Sequence, residues 1–329
     1  MTSASASTST SAPRRLHPLT DPADAATLEA ALAAVSPGDP LAWMYLHWRR
    51  AEATGALPCA WFVTEDEAGL PAGLGLAVCK PVAVGGYGSG LVSVVPEQRR
   101  RGVATALRTA LEEAAAGQLP GLVYEYREDE APAEAARLAW GLTVSERHHE
   151  SVLALDEATV QRLAAVRVPE GVALEPVEDL DGLGEAAWRT LHARFAAMFA
   201  DAPDVADGDA NVPYEVLRGL VTQPWMLLLA RDAAGDLLGL TMVTERPGED
   251  EAANTFFTGT ERHARGRGVA TAVKAHQAVR MAQAGITRLY TQNMVGNEPI
   301  LAANRRLGFV HAVTTCDVPV ALPGGRAHA

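Results

Sequence analysis

Arg101-Gly102-Val103-Ala104-Thr105-Ala106 returns 166 residues later as Arg267-Gly268-Val269-Ala270-Thr271-Ala272, and this repetition decides how the rest of the chain is divided. Matches at the same offset flank it: Asp66-Glu67-Ala68-Gly69 with Asp232-Ala233-Ala234-Gly235, Gly73 with Gly239, and Tyr124 with Tyr290. Trp140-Gly141-Leu142 comes back one residue out of step as Leu307-Gly308-Phe309. A solenoid unit repeats at roughly 20–50 residues, so a period this long marks a whole domain present twice. The length of 329 residues agrees, being about that of two ordinary domains.

Working outward from the repeated stretch, both copies show one order of elements. A helix is expected first (25–35; 184–199), then a hairpin (60–64 with 73–79; 225–230 with 237–244) whose turns are Glu67-Ala68-Gly69-Leu70 and Asp232-Ala233-Ala234-Gly235. A third strand (90–95; 254–258) runs into the Arg/Gly stretch. In the first copy the helix that follows carries Val103, Ala106, Leu107, Ala110, Leu111 and Ala114 at helical spacing. A further strand (121–125; 287–292), a short helix ending at the glycine, and a last strand complete each copy. The fold class is therefore α/β, with a mixed sheet in each of two tandem domains. Arg167-Val168-Pro169-Glu170-Gly171 breaks two structured stretches. This places a disordered tail at 1–14, a first domain at 15–166 and a second at 167–329.

Composition narrows the function. A formal net charge of −12 excludes the overall basic footprint that nucleic acid or an anionic membrane requires, so a local arginine cluster stands out. Cys59, Cys79 and Cys316 have no metal-ligand spacing and fit a reducing cytoplasm, with neither disulfides nor a metal site. No apolar run approaches the roughly 18–20 residues that span a bilayer. The Ser/Thr/Ala-rich start, MTSASASTSTSAPRR, lacks the apolar core of a secretion signal.

Arg99 to Ala104 and Arg265 to Ala270 each read R-x-x-G-x-A between a strand and a helix. Glycine there permits positive φ and close approach to a ligand. The first helical turn leaves N–H groups unpaired at the positive end of the helix dipole, which favours a diphosphate. Arginines at 99, 100, 101, 265 and 267 add charge beside it. The spacing matches neither a Walker A loop nor a Rossmann fingerprint.

The stretch V-V-P-E-Q-R-R-R-G-V-A (94–104) with its flanking strand and helix resembles motif A of the GNAT superfamily of N-acetyltransferases. TGTERHARGRGVATAVK (258–274) is the closer of the two, and TQNMVGNEPILAANRRLGF (291–309) is similar to that superfamily's motif B. The resemblance covers nearly the whole chain. It implies a splayed sheet with acetyl-CoA as co-substrate between the strands at 254–258 and 287–292. The pantetheine arm would run beside Phe257, Thr258 and Gly259. The diphosphate would meet Arg265, Gly266, Arg267, Gly268, Val269, Ala270 and Thr271, with Asn293 and Asn297 as further contacts. Val94, Val95, Arg99, Arg100, Arg101, Gly102, Val103, Ala104 and Thr105 are the matching positions of the first copy. The expected reaction is direct attack of a small-molecule amine on the thioester within a ternary complex, by a monomer or homodimer. A main-chain N–H would polarise the carbonyl, a base would take the amine proton, and an acid would protonate the thiolate.

Departures from the pattern divide the copies. The motif B tyrosine is replaced by Asn304 in the second copy, which keeps Asn297. The first copy has Glu130 and Arg137 at these two positions and Leu142 in place of the phenylalanine. The first copy reads as degenerate support and the second as catalytic. Glu251, near the start of the third strand, is the candidate base, with Glu245, Asp201 and Asp204 as rivals. Asn304 is the hydrogen-bond donor to sulfur, with Tyr290 or Tyr214 as alternative acids. Against these stand plainer readings: a solvated acidic loop for Glu249-Asp250-Glu251, a strand core position for Tyr290, a helix cap for Asn297. Two other functions remain open: a non-catalytic acetyl-CoA sensor, and acetylation of a cysteinyl sugar.

Overall fold

The computed structural model describes residues 10–35, 42–55, 57–79, 86–202, 212–246 and 249–324. The chain divides into two compact units, one of residues 1–145 with 316–329 and one of residues 146–315.

In the first unit the elements are β1 (Arg14–Leu16), α1 (Pro22–Val35), α2 (Ala42–Ala53), β2 (Cys59–Glu65), β3 (Pro71–Val78), β4 (Gly88–Val94), α3 (Val103–Ala115), β5 (Gly121–Arg127) and α4 (Ala131–Ala139). The strands lie in the order β1-β2-β3-β4-β5, followed by the chain's last strand. One face of this sheet is covered by α1 and α2 through Leu28, Leu32, Tyr45 and Trp48. The other is covered by α3 through Val103, Leu107 and Leu111, the stripe its periodicity announces. Glycine lets that helix lie close: a Cβ at Gly73 would come within 2.9 Å of both Leu107 and Val103.

The second unit contains β6 (Glu146–Ala154), α5 (Glu157–Ala164), β7 (Ala173–Pro176), α6 (Gly184–Ala200), α7 (Tyr214–Leu220), β8 (Leu227–Arg231), β9 (Leu237–Glu245), β10 (Ala252–Thr260), α8 (Val269–Gln283), β11 (Arg288–Met294) and α9 (Glu298–Leu307). Its strand order is β7-β8-β9-β10-β11-β6. The final strand, β12 (Val310–Ala321), carries the chain from this unit into the first.

Three expectations change. The seam at 166–171 is not where the compact units divide. Strand β6 pairs antiparallel with β11 from Arg288↔Ala154 to Met294↔His148, a long-range ladder that outweighs sequence proximity. The tail is engaged before residue 14: Ser11 exchanges hydrogen bonds with Glu65, N to O at 2.8 Å and N to Oγ at 2.8 Å. Arg14 pairs in register with Val63 and bonds Asp24 at 2.5 Å. Residues 1–9 lie outside the described residues. Strand β8 begins at Leu227 because Pro224–Met226 forms a 3-10 turn.

Candidate active site

The site in each unit starts where two parallel strands part. In the second unit β10 and β11 are in register from Ala252↔Arg288 to Thr255↔Thr291. Beyond Thr255, β10 keeps only β9 as a partner, through Phe257↔Met242, Thr258↔Thr241 and Gly259↔Leu240, while β11 follows β6. The edge of β10 from Phe256 to Thr260 therefore faces a gap that main-chain groups of an extended ligand can fill. A bulge between Thr255 and Phe257 sits at the apex and unpairs a residue of backbone there. In the first unit β4 and β5 part after Gly90↔Tyr124, and β4 is regular against β3 throughout.

The R-x-x-G-x-A loops follow, and they superpose residue on residue in backbone angles. A 3-10 turn (Pro96–Gln98; Arg262–Ala264) ends in Arg99 at φ −64, ψ 155 and Arg265 at φ −65, ψ 153. Gly102 at φ 84 and Gly268 at φ 85 then start the helices in left-handed conformation. The residue between differs. Gly266 takes φ 75 without strain, while Arg100 at φ 66 is the one non-glycine residue with positive φ among the described residues, a conformation costing on the order of 1–3 kcal/mol. The first helical hydrogen bonds close at Ala106 on Gly102 and Ala272 on Gly268. The preceding N–H groups are thus left for an anion in both units.

The arginines do not all serve as counter-charges. Arg99 Nε donates to Val94 O at 3.0 Å and Arg265 Nε to Thr260 O at 3.2 Å, stapling the loop to the strand end. In the second unit Arg265 also donates to Asp201 Oδ2 at 2.8 Å, and Asp201 accepts from Arg262 as well. These hydrogen bonds hold the Asp201 carboxyl down at about 2. Asp201 is therefore a loop clamp and not a base. Arg267 reaches Glu170 O at 3.4 Å.

The remaining candidates fall on different sides of the sheet. Asn304 is buried at 3% exposure on α9 and donates Nδ2–H to Asn293 Oδ1 at 2.7 Å. Thr291, one register step before the gap, donates to the same oxygen at 3.5 Å. Tyr290 points to the opposite face, under the Arg246 guanidinium at 3.8 Å from its ring centre. Arg246 is itself held by Glu150, Glu249 and Asn254. Glu251 lies exposed at the closed end of the β10–β11 pair, its main-chain O accepting from Thr287 and Arg288. Asn293 and Asn304 meet on the β11 side, Phe257, Thr258 and Gly259 run along β10 toward the 265–271 loop, and Glu251 and Tyr290 lie apart from both. Asn297 is the N-cap of α9, but its side chain makes no capping bond. Tyr214 is committed to Glu185 at 2.7 Å. Glu245 is in register with Ala253, on the closed side of the apex, and Asp204 lies outside the described residues. Lys274 is the residue that sequence reading missed; its signal was a charge inside the apolar stripe of α8.

In the first unit a cavity of about 380 Å³ is lined by Val94, Val95, Arg99, Arg100, Gly102, Val103, Ala104 and Thr105, together with Tyr124, Tyr126 and α4. Trp140 closes over it, donating Nε1–H to Thr105 Oγ1 at 3.0 Å. Arg137 is tied to Glu134 at 2.6 Å, and the Tyr126 hydroxyl donates to Glu134 at 2.5 Å. Burial, then that bond, raises the Tyr126 phenol above its usual range. None of these groups is available as a base.

Whether acetyl-CoA fits is tested by what the gap leaves unsatisfied. In the second unit the buried Thr255 Oγ1, Thr260 Oγ1 and Asn304 Oδ1 have no hydrogen-bond partner. Unsatisfied buried groups are costly, and these three stand at the apex, the mouth and the β11 flank of the gap, where an amide-bearing arm would satisfy them. Among the described residues no helix is long and apolar enough to cross a membrane, and all three cysteines are free.

No family model matches the chain. Curated relatives are similar over most of it. It is 29% identical over 240 residues to a mycothiol acetyltransferase of Thermomonospora curvata, covering 71% of this chain and 74% of that one. It is 30% identical over 224 residues to a mycothiol acetyltransferase of Clavibacter michiganensis, covering 66% and 67%. Among solved structures, a GCN5-related N-acetyltransferase from Sphaerobacter thermophilus aligns with a TM-score of 0.69 at 18% identity, covering 95% and 97%. A tandem GNAT protein from the clavulanic acid biosynthesis pathway aligns with a TM-score of 0.67 at 19% identity, covering 94% and 98%. At those identities the structural likeness is one of fold. With the splayed strands and the paired R-x-x-G-x-A loops in place, the chain belongs to the tandem GNAT N-acetyltransferases. It is an enzyme of that family.

Proposed function

We propose that the second unit transfers an acetyl group from acetyl-CoA to the amine of a small molecule, by direct attack, in the reducing cytoplasm. The observation that carries this reading is the bulged gap at Thr255–Phe257, joined to a glycine-started helix and flanked by unsatisfied Thr255, Thr260 and Asn304. The N–H groups ahead of Ala272 and the α8 dipole hold the diphosphate. The free edge of β10 pairs the arm, and the unpaired backbone at the bulge polarises the acetyl carbonyl. Among the described residues the candidate carboxylates are not at the apex, Glu251 being at the closed end and Asp201 clamped; ordered water or bulk solvent takes the amine proton. The first unit holds a second acetyl-CoA in its cavity without turnover, its Arg137 and Tyr126 being committed to Glu134.

The test is thiol release over a panel of polyamines, aminoglycosides and aryl amines, with calorimetric stoichiometry of acetyl-CoA binding. Release with at least one amine supports the reading. Two equivalents bound with no release across the panel replaces it with a sensor. A second reading, acetylation of a cysteinyl sugar, is favoured by the relatives that bear the name mycothiol acetyltransferase, and such a glycoside belongs in the panel.

A further inference from the structure

Lys274 sits on α8, six residues from Gly268 and thus about 9 Å along the helix from the diphosphate end. It is 3% exposed. Among the described residues its Nζ meets the Thr291 hydroxyl at 3.5 Å and the Phe309 ring, 5.1 Å to the centroid. A buried ammonium is almost always paired with a carboxylate, and here none pairs with it. Burial alone lowers its pKa, to about 7. The elements packed against α8 supply no counter-charge. The carboxylates there are engaged elsewhere, Glu157 of α5 with Gln161 and Glu298 of α9 with Arg305, while the cations Arg162 of α5 and Arg231 of β8 bond Leu307 O and Glu175. Glu245 of β9 and Arg306 of α9 do not contribute to the shift, nor do His276 and Arg280 on α8 itself.

The position has a direction. Thr291 is the last β11 residue in register with β10 before the gap. With diphosphate at the α8 start beside Thr260, about 16 Å of β10 separates it from the apex at Thr255, so the reacting end of the arm lies at Thr255 and Thr291. From Thr291 the polar side chains continue through Asn293 to Asn304, the residue standing where the superfamily's motif B has a tyrosine. The first unit has nothing equivalent: Arg108, at the same place in the repeat, is bonded to Glu112 at 2.6 Å and stacked on Trp140.

We propose that Lys274 is the proton source for the thiol leaving group of the second unit, acting through the Thr291 hydroxyl in place of the missing tyrosine. This rests on the transferase reading above. As the acceptor nitrogen bonds to the acetyl carbon, the C–S bond breaks and its electron pair stays on sulfur. Thr291 turns its hydroxyl from Asn293 Oδ1 to sulfur, gives that proton up and takes one from the Lys274 ammonium. The acceptor nitrogen loses a proton to solvent, and Lys274 regains one from solvent, so amine and thioester become amide and thiol. Lys274 acts through Thr291 and is a relay residue; it need not touch the thioester.

The experiment compares the whole chain with Lys274→Met and Thr291→Val by two readouts. The first is the ultraviolet absorbance of the thiolate of bound coenzyme A against pH. A thiol ordinarily ionises near about 8.5. The wild type should ionise at least about one unit lower, a tenfold difference in thiolate at fixed pH, and Lys274→Met should restore the ordinary value. The second is kcat against pH: the wild type should lose activity as Lys274 deprotonates, and Lys274→Met should fall about 100-fold or more and lose that limb. Thr291→Val should keep the shifted thiol but lose the rate. Coenzyme A that binds with the same thiol ionisation in wild type and Lys274→Met overturns this proposal alone. Absence of coenzyme A binding to the wild type overturns the functional reading and this one with it.

Discussion

Replacing Lys274 by methionine should stabilise the second unit, by an amount set by pH. The ammonium is disfavoured by burial, its pKa falling from 10.5 to about 7. At about 1.4 kcal/mol per unit, that gap of about 3.5 units corresponds to on the order of 5 kcal/mol. The sign follows from which state binds the proton. Above pH 10.5 both folded and unfolded chains carry a neutral amine and the penalty vanishes. Between 10.5 and 7 the unfolded chain is protonated and the folded one is not, so the penalty grows by about 1.4 kcal/mol for each unit of pH lost. Below 7 both are protonated and the penalty is complete. Methionine, of similar length and apolar, escapes it and keeps the contact with Phe309. Urea unfolding at pH 7 and pH 9, followed through Trp188 and Trp225 of this unit, should give the variant an advantage about 2 kcal/mol larger at pH 7. An advantage independent of pH, or a variant less stable than wild type at pH 7, would refute the account of an unpaired buried amine.

Three further outcomes follow from the site. Tyr290→Phe should leave thiol release within about threefold, because the ring that stacks on Arg246 is kept and the hydroxyl faces away from Thr291; a hundredfold loss would make Tyr290 the general acid. Gly268→Val and Gly102→Val each place a β-branched residue at φ 85 and 84 and crowd the diphosphate. Calorimetry should therefore show acetyl-CoA binding reduced from two equivalents to one in each, and unchanged stoichiometry in either would remove that loop from the site. Arg14→Ala should lower the melting temperature of the first unit by several degrees by freeing Asp24 and the β1 edge. Equal melting temperatures for Arg14→Ala and wild type would show that β1 contributes nothing.

Local chemistry was readable from the chain alone. The duplication, the hairpins around Gly69 and Gly235, the apolar stripe of α3 and the glycine-started helices all rest on residues within a few positions of one another. Left-handed φ at Gly102 and Gly268 is a property of glycine itself, and the arrangement of both loops could be stated before any coordinates. What the sequence could not express is which distant segments meet. β6 falls within the first copy in sequence yet pairs with β11, because a ladder of seven register pairs is set by matching edges and buried faces, not by chain distance. Glu251 is four residues before Thr255, but the register places it at the closed end of the strand pair. Asp201 meets Arg265 across 64 residues, which turns a supposed base into a clamp. Lys274 stands out in sequence only as a charge inside an apolar stripe, and what it does is set when Thr291 and Phe309 close around it. Its chemistry depends on desolvation, and desolvation is a property of the assembled interior.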